Sequence, residues 1–275
     1  MPAVEIGDVR VHYDQTGRGE PVLLIPGTGA RGRTWSLHQV PALVEAGYRA
    51  LTLDNRGVGL SGPAKPGLTV DDLVTDVATV IETVLGQPCR LIGSSMGAHI
   101  VQELIVTRPE LCRQAVLMAS RARPDAFSLA FAAAERTLYD SGARVPADYD
   151  AVTRALQNLS PSTLRDNNAV QDWLDVFEMS PVERADPGQR AQLDVVIDTD
   201  RRAAYRSIRV PALVISFVDD LVAPPCCGRE LAATIPSARY VEIRDAGHYG
   251  YLEKPEAVNA ALLDFFAVDG SRVSP

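Results

Sequence analysis

The chain has 275 residues, of which 46% are hydrophobic, and its formal net charge is −8. This length suffices for one large α/β domain or two small ones with a sizeable core. The acidic balance argues against a nucleic-acid partner, because phosphate binding needs clustered Lys and Arg. No window approaches the roughly 18 uninterrupted apolar residues of a membrane span, so we expect no membrane contact.

The N-terminus and the cysteines bear on the cellular compartment. The first six residues show neither the basic segment nor the apolar segment of a signal peptide. The four cysteines are Cys89, Cys112, Cys226 and Cys227. They match no paired metal-ligand spacing, and two adjacent cysteines are poorly placed for a disulfide. We therefore expect free thiols and a cytoplasmic protein.

The first part of the chain alternates strand and helix patterns. Residues 3–16 predict two short strands that turn at Gly7-Asp8, with His12 on the exposed side. The apolar run at 21–25 predicts a strand buried on both faces of a parallel sheet. The elements predicted next are a helix over 37–48, a strand over 49–53, a helix over 70–86 with a capping box at Thr69 and Asp72, a strand over 90–93, a helix over 96–108 and a strand over 115–118.

The composition changes between residues 121 and 207, where strand-like runs are few and helix formers and prolines are common. We predict here a helical insertion that acts as a lid. The α/β pattern then resumes with a strand over 211–216, a helix over 227–235, a strand over 239–243 and a helix over 255–266. The predicted organisation is an α/β core formed by residues 1–120 and 208–268, a lid at 121–207 and a flexible tail at 269–275.

The loop at 26–33 follows the first buried strand and is rich in glycine. Glycine at the carboxyl end of a strand favours a loop whose backbone approaches a ligand, although a flexible connector fits equally. Gly27, Gly29 and Gly32 also match the spacing of a dinucleotide-binding loop. That interpretation is weak, because the next helix starts late and only Asp54 could serve as the acidic partner.

The stretch Gly93-Ser94-Ser95-Met96-Gly97 has the Gly-x-Ser-x-Gly form of a nucleophile elbow. An apolar run ends in it and a helical pattern begins at once, as a sharp turn presenting Ser95 requires. Gly93 and Gly97 omit side chains that would clash with a strained serine backbone. The helix N-terminus would favour negative charge developing near Ser95. By itself the pentapeptide also fits an ordinary strand–helix turn.

A serine nucleophile needs an imidazole base, and the imidazole needs a carboxylate. His248 follows a predicted buried strand directly, where catalytic groups collect in open α/β sheets. The other histidines are less suitable: His12 is expected on an exposed face, His38 in a helix, and His99 as a packing or pocket residue one helical turn beyond Ser95. His248 is therefore the candidate base.

The acid is expected between the serine and the histidine in the chain. The loop after the predicted strand at 211–216 carries two adjacent carboxylates, Asp219 and Asp220. Since neighbouring side chains point in different directions, only one of them can reach His248. The residues alone leave this choice open.

These segments together resemble the α/β-hydrolase superfamily over nearly the whole chain. The shared motifs, in family order, are the elbow, the Asp-Asn-Arg-Gly-x-Gly-x-Ser turn, the Asp-Asp-x-x-x-Pro loop and the Asp-Ala-Gly-His segment. In this family the acid usually precedes a proline by four residues, which favours Asp220 because Pro224 follows it. The resemblance implies an α/β-hydrolase fold: a mostly parallel central sheet flanked by helices, with a helical lid inserted after the sixth strand.

The resemblance further implies an oxyanion hole formed by the backbone N–H groups of Thr28 and Met96. The family commonly has His-Gly-x where this chain has Pro26-Gly27-Thr28. The substitution of proline for histidine removes a side chain that often braces this loop. Loss of one donor would lower the rate about 10²- to 10³-fold.

The implied function is hydrolysis of an ester or thioester of a small, largely apolar substrate by Ser95, Asp220 and His248, without a metal or organic cofactor. Trp173, Phe177 and Tyr249 are the predicted substrate-binding residues. The same triad also fits a C–C bond hydrolase, a cofactor-free perhydrolase or a secondary-metabolite tailoring enzyme. A non-catalytic ligand-binding protein of this fold is a further alternative. The oligomeric state stays open, with a homodimer among the options.

Overall fold

An eight-stranded sheet forms the centre of the computed structural model, which describes residues 2–180 and 186–268. Its strands are β1 (Ala3–Ile6), β2 (Val9–Gly17), β3 (Pro21–Ile25), β4 (Arg49–Leu53), β5 (Cys89–Ser94), β6 (Cys112–Met118), β7 (Ala212–Phe217) and β8 (Ala238–Ile243). They follow the order β1-β2-β4-β3-β5-β6-β7-β8 across the sheet. Only the pairs made by β2 are antiparallel within this part of the chain. The predicted mostly parallel sheet is confirmed.

Helices cover both faces of this sheet. The helices are α1 (Gln39–Glu45), α2 (Val70–Val80), α3 (Met96–Thr107), α4 (Ala126–Asp140), α5 (Ala147–Asn158), α6 (Pro161–Arg165), α7 (Asn167–Met179), α8 (Pro187–Gln192), α9 (Arg202–Tyr205), α10 (Pro225–Thr234), α11 (Gly250–Glu253) and α12 (Pro255–Ala267). Along β3, Leu23 and Ile25 belong to the core beneath α2 and α3, whereas Val22 and Leu24 belong to the core beneath α1 and α12. This alternation explains the unbroken apolar run, since both faces of a central parallel strand are buried.

Helix α2 begins at the residue that the sequence predicts, and its π-helical continuation ends at the predicted glycine, Gly86. The Thr69 hydroxyl accepts a hydrogen bond from the Asp72 amide, and the Asp72 carboxylate accepts one from the Thr69 amide at 2.9 Å. This reciprocal pair is a capping box. The helix continues as a π-helical turn over Ile81–Leu85 and ends at Gly86, whose φ of 62° is the left-handed conformation that favours glycine.

Two histidine predictions are wrong. His12 is buried, with 5% of its surface exposed, because the loop after β4 folds back over β2. In that loop the Ser61 hydroxyl accepts a hydrogen bond from the His12 amide at 2.9 Å, and Asp54 Oδ2 lies 3.6 Å from His12 Nδ1. His38 lies in a turn between a 3₁₀ helix at Gly32–Leu37 and α1, so the single helix predicted over 37–48 is shorter than expected.

Residues 121–207 contain helices α4 to α9, which lie between β6 and β7. Helices α5 and α7 pack against each other around Ala151, Ala155 and Phe177, each at most 3% exposed. These helices therefore have a small core of their own above the sheet. The tail predicted at 269–275 lies outside the described residues. Among the described helices, none has both the length and the apolar character that crossing a membrane requires.

We expect Gly97→Ala to lower the free energy of unfolding by about 3 kcal/mol or more. A Cβ on Gly97 would lie 2.1 Å from the Ile25 carbonyl oxygen, so α3 would have to move away from β3. Urea unfolding measures the effect. Gly142→Ala is the matched control, because that glycine has φ of 64° but open space around it, and we expect a loss of about 1 kcal/mol. Equal losses in the two variants would contradict the close packing of the turn.

Candidate active site

The loops that carry the predicted site residues meet at one edge of the sheet. Parallel strands place their carboxyl ends at the same edge, and β5, β7 and β8 are parallel. Ser95 follows β5 directly, Asp220 lies three residues after β7, and His248 lies five residues after β8. The sheet therefore brings together three side chains that are far apart in the chain.

Ser95 has a strained backbone at the turn from β5 into α3. Its φ of 54° and ψ of −119° are rarely adopted by a residue with a side chain. The Ser95 amide donates a hydrogen bond to the Met118 carbonyl at 2.9 Å, which holds the turn against β6. Because α3 begins at Met96, the side chain of Ser95 stands at the N-terminus of a twelve-residue helix.

Asp220, His248 and Ser95 form a continuous hydrogen-bonded chain. His248 Nε2 lies 3.1 Å from Ser95 Oγ, and His248 Nδ1 lies 2.8 Å from Asp220 Oδ2. Asp220 is 1% exposed, and its Oδ1 accepts hydrogen bonds from the amides of Val222 and Ala223, each at 2.8 Å. These amides satisfy one oxygen of the buried carboxylate and leave the other facing the imidazole. The arrangement is that of a nucleophile, a base and an acid that orients the base.

The neighbouring Asp219 points elsewhere. It is half-buried, and burial together with the carboxylates of Asp245 and Glu253 raises the pKa of its carboxyl group. Asp219 makes no hydrogen bond to His248 within the described residues. Of the two adjacent carboxylates left open by the sequence, the structure places Asp220 against the imidazole.

Glu253, which the sequence analysis missed, holds the loop that carries His248. Glu253 Oε2 accepts a hydrogen bond from the Gly247 amide at 2.6 Å, and Glu253 Oε1 accepts one from the Ser160 amide at 2.8 Å. The Tyr249 amide also donates to the Asn158 carbonyl at 3.0 Å. The histidine loop is therefore fixed to the connection between α5 and α6.

The two amides predicted to form an oxyanion hole are both available. Neither the Thr28 nor the Met96 N–H donates to a protein acceptor in the part of the chain that the structure describes. The loop before Thr28 lies against the serine, since a Cβ on Gly27 would be 3.3 Å from the Ser95 Cβ. The side-chain Nδ2 of Asn55 donates to the Pro26 carbonyl at 3.1 Å and holds the start of this loop.

Gln192 holds the other end of the same loop, although the sequence analysis did not find it. This side chain is 1% exposed; its Oε1 accepts from the Gly29 amide at 2.8 Å and its Nε2 donates to the Arg56 carbonyl at 2.9 Å. Helix α8, which carries Gln192, packs so closely that a Cβ on Gly188 would lie 2.1 Å from the Gly57 carbonyl oxygen. The inserted helices thus supply a brace for the loop that lacks the family's usual histidine.

We expect Gln192→Leu to lower kcat about tenfold, because the loss of two buried hydrogen bonds frees the backbone next to Thr28. The KM should change less, since Gln192 is 1% exposed and both ends of its side-chain amide bind backbone groups, so it offers little surface to a substrate. Steady-state kinetics on a p-nitrophenyl ester measure both. Gln171→Leu, on the exposed face of α7, is the control and should keep wild-type kcat. Equal kcat values in the two variants would contradict the role of Gln192 in holding the loop next to Thr28.

A cavity of about 1410 Å³ opens above Ser95. Helices α4, α5 and α7 form its outer walls, and the loops after the strands form its floor. Trp173, Phe177 and Tyr249 all border it and lie together, with ring centroids 5.4 Å apart for Trp173–Phe177 and 6.2 Å apart for Trp173–Tyr249. Phe177 is 2% exposed and mainly packs between helices, whereas Trp173 and Tyr249 are half-buried. Burial raises the pKa of Tyr249.

Among the described residues, no three His, Cys, Asp or Glu side chains are grouped so that they could hold a metal ion. The four cysteines are unpaired, and burial raises the pKa of Cys89 to about 12. A high pKa keeps a thiol protonated and unreactive, so none of the observations assigns Cys89 a chemical role.

Comparison with known proteins identifies relatives that match nearly the whole chain. The model of the Alpha/beta hydrolase family matches residues 22–261. The "Putative non-heme bromoperoxidase BpoC" of Mycobacterium tuberculosis is 51% identical over 94% of this chain and 98% of that protein. The crystal structure of BpoC from strain H37Rv superimposes with a TM-score of 0.90 over 94% of this chain and 95% of the other.

More distant relatives carry different names. The "Putative carbamate hydrolase RutD" of Variovorax paradoxus is 28% identical over 94% of this chain and 96% of that protein. The crystal structure of the enol-lactonase from Burkholderia xenovorans LB400 is 27% identical, with a TM-score of 0.79 over 97% of this chain and all of the other. The relatives therefore share one fold, whereas their names give different reactions.

Proposed function

Because the chain belongs to the α/β-hydrolase family, we propose that it cleaves an ester or thioester of a small, largely apolar substrate through an acyl-enzyme. The protein is an α/β-fold hydrolase. The observation that carries the proposal is the hydrogen-bonded chain from Asp220 through His248 to Ser95 at the floor of the cavity. That chain supplies a nucleophile, a base and an orienting acid in contact with a space for substrate.

Each residue has a defined role in this reaction. Ser95 Oγ attacks the carbonyl carbon while His248 Nε2 takes its proton, and the Asp220 carboxylate stabilises the imidazolium. The N–H groups of Thr28 and Met96 donate to the oxyanion. His248 then gives the proton to the leaving oxygen or sulfur, which departs and leaves Ser95 acylated. A water molecule, deprotonated by His248, attacks the acyl carbon. The bond from that carbon to Ser95 Oγ then breaks, His248 returns the proton to Ser95 Oγ, and the acid product leaves.

The walls of the cavity favour an apolar acyl or alcohol group. Large hydrophobic side chains border it from the inserted helices, and several are well exposed: Phe127 at 59%, Tyr149 at 66% and Val176 at 49%. Burying such surface against a substrate is favourable. We propose that residues 121–207, which contain helices α4 to α9, form the lid and that Trp173, Phe177 and Tyr249 contact the substrate.

A p-nitrophenyl ester series from C2 to C12 tests this proposal. We expect wild-type hydrolysis of the series and a chain-length optimum that reports the depth of the cavity. Trp173→Ala should lower kcat/KM for the C8 ester about tenfold relative to the C2 ester, because the longer chain loses an apolar wall. Val152→Ala, an exposed change on α5 away from the cavity, is the control. No ester hydrolysis by the wild type would contradict the proposed reaction.

A second candidate reaction uses the same acyl-enzyme. Hydrogen peroxide in place of water would give a peroxy acid, a product able to oxidise bromide. The observation that favours it is the 51% identity to the protein named "Putative non-heme bromoperoxidase BpoC". Peroxy acid formation from acetate and hydrogen peroxide, compared between wild type and Ser95→Ala, tests this reaction. Equal formation with the two proteins would exclude it.

A further inference from the structure

His99 is a buried polar side chain at the wall of the cavity, one helical turn from Ser95. The residue borders the cavity and is 5% exposed. Neither ring nitrogen has a hydrogen-bond partner in the regions that the structure describes. The carboxylate nearest to it, Glu103 Oε1, lies 3.7 Å from His99 Nε2, beyond hydrogen-bond range. His99 therefore has donor and acceptor capacity that no group among the described residues uses, at the wall of a cavity that can hold a substrate.

The carboxylate of Glu103 has hydrogen-bond partners other than His99. Glu103 Oε1 accepts from Arg201 Nε at 2.9 Å and from the Tyr205 hydroxyl at 2.8 Å, and Glu103 Oε2 accepts from an Arg201 Nη at 2.5 Å. Burial lowers the pKa of His99 to about 4; Glu103 acts in the opposite direction, and Arg201 lowers it further. At neutral pH the ring is therefore uncharged, with one N–H donor and one acceptor nitrogen.

We propose that His99 is a substrate-binding residue whose ring hydrogen-bonds to an uncharged substrate oxygen, a carbonyl or a hydroxyl, beside the scissile carbonyl. This inference rests on the proposed function and narrows the substrate class to esters with a second oxygen-bearing group. A carboxylate at the same place would meet a net negative field, because Glu103 acts on His99 more strongly than its partner Arg201 does, and Asp198 and Asp71 add to Glu103. An uncharged group avoids that repulsion.

The turn at the start of α3 sets where this oxygen lies. Ser95 precedes α3 and is not helical, but the His99 amide donates to the Ser95 carbonyl at 3.1 Å, so the two residues are one turn apart and their Cβ atoms are roughly 5–6 Å apart. With the scissile carbon in contact with Ser95 Oγ, an oxygen near His99 belongs to an atom roughly three bonds along the acyl chain. The 4-oxopentanoyl group carries its keto oxygen at this position, and the pentanoyl group has the same length without it.

The test compares p-nitrophenyl 4-oxopentanoate with p-nitrophenyl pentanoate, each rate divided by its hydroxide-catalysed rate to remove intrinsic reactivity. We expect the wild type to favour the oxo ester in kcat/KM about tenfold, the effect of one hydrogen bond in a buried site. His99→Phe keeps an aromatic ring without its nitrogens and should bring the ratio to about one. His99→Gln retains a donor and an acceptor and should restore part of the preference. His38→Leu, a histidine at the cavity rim, should keep the wild-type ratio.

The outcomes separate this inference from the proposed function. A wild-type ratio near one, or a tenfold ratio that survives in His99→Phe, overturns the role of His99 while ester hydrolysis stands. Failure of the wild type to cleave either ester overturns both. If His99→Phe does not fold, the wild-type ratio together with that of His99→Gln decides: a preference in both supports the inference, and none in the wild type overturns it.

Discussion

Ser95→Ala is expected to lower kcat for ester hydrolysis at least about 10⁴-fold, since removing the nucleophile of such a triad costs up to about 10⁶. Alanine has no oxygen to attack the carbonyl or to carry the acyl group, and only the amides of Thr28 and Met96 would still act on the substrate. The hydroxyl of Ser95 lies 3.1 Å from His248 Nε2, so the change removes the reacting atom and little packing. Initial rates on the preferred p-nitrophenyl ester measure the loss.

Ser94→Ala is the matched control for this variant. Ser94 is the adjacent residue, is 4% exposed and ends β5, but the structure places its neighbour against the imidazole. We expect Ser94→Ala to keep activity within about tenfold of wild type, the cost of one buried hydroxyl. Similar losses of activity in the two variants would exclude Ser95 as the nucleophile. A Ser95→Ala protein that retains most of its activity would exclude it as well.

Asp220→Asn should lower kcat about 10⁴-fold near neutral pH, the loss known for the equivalent change in a serine protease triad. An asparagine amide can still accept from the amides of Val222 and Ala223, so the loop should keep its shape. The group facing His248 Nδ1 would become either an uncharged oxygen or an NH₂ donor. The donor would force the wrong imidazole tautomer, and neither could stabilise the imidazolium as a carboxylate does.

Asp219→Asn separates the two adjacent carboxylates. Asp219 is half-buried and lies near Asp245 and Glu253, and replacing it relieves repulsion between like charges. We therefore expect activity within about twofold of wild type and a stability that is unchanged or slightly higher. Thermal unfolding of both variants checks that they fold. A large loss in Asp219→Asn with an active Asp220→Asn would reverse the assignment.

The elements of the core could be predicted because their signals are local. The apolar run at 21–25 is buried on both faces, and the elbow glycines at 93 and 97 fit the close approach of α3 to β3 and β5. The capping box at Thr69 needs only residues within one turn of the helix. Such features depend on side chains a few positions apart, which a single sequence displays directly.

Predicting the candidate site required more than local sequence patterns. Strand order brings Ser95, Asp220 and His248 together, and the sequence reached this grouping through the resemblance to a family and the alternation of strands and helices. The choice between Asp219 and Asp220 depends on which side chain turns toward the imidazole. That direction follows from the amides of residues 222 and 223, which hold the Asp220 carboxylate.

The residues that support the site were not predictable because their partners are remote in the chain. Gln192 contacts Gly29 across 163 positions, and no motif marks it. Glu253 braces the histidine loop from a short helix, α11, that the sequence analysis did not predict. The prediction that His12 is exposed is wrong for the same reason, because the loop that covers it follows β4, about fifty positions further along the chain.

Labelling with a fluorophosphonate tests most directly whether Ser95 is an activated nucleophile. The reagent phosphonylates a serine whose proton a neighbouring base removes, and mass spectrometry of the intact protein and its peptides locates the adduct. We expect one adduct per chain, on the peptide that carries Ser95, none in Ser95→Ala, and slow formation in Asp220→Asn. An unlabelled wild-type protein, or an adduct of equal yield in Ser95→Ala, would contradict the account.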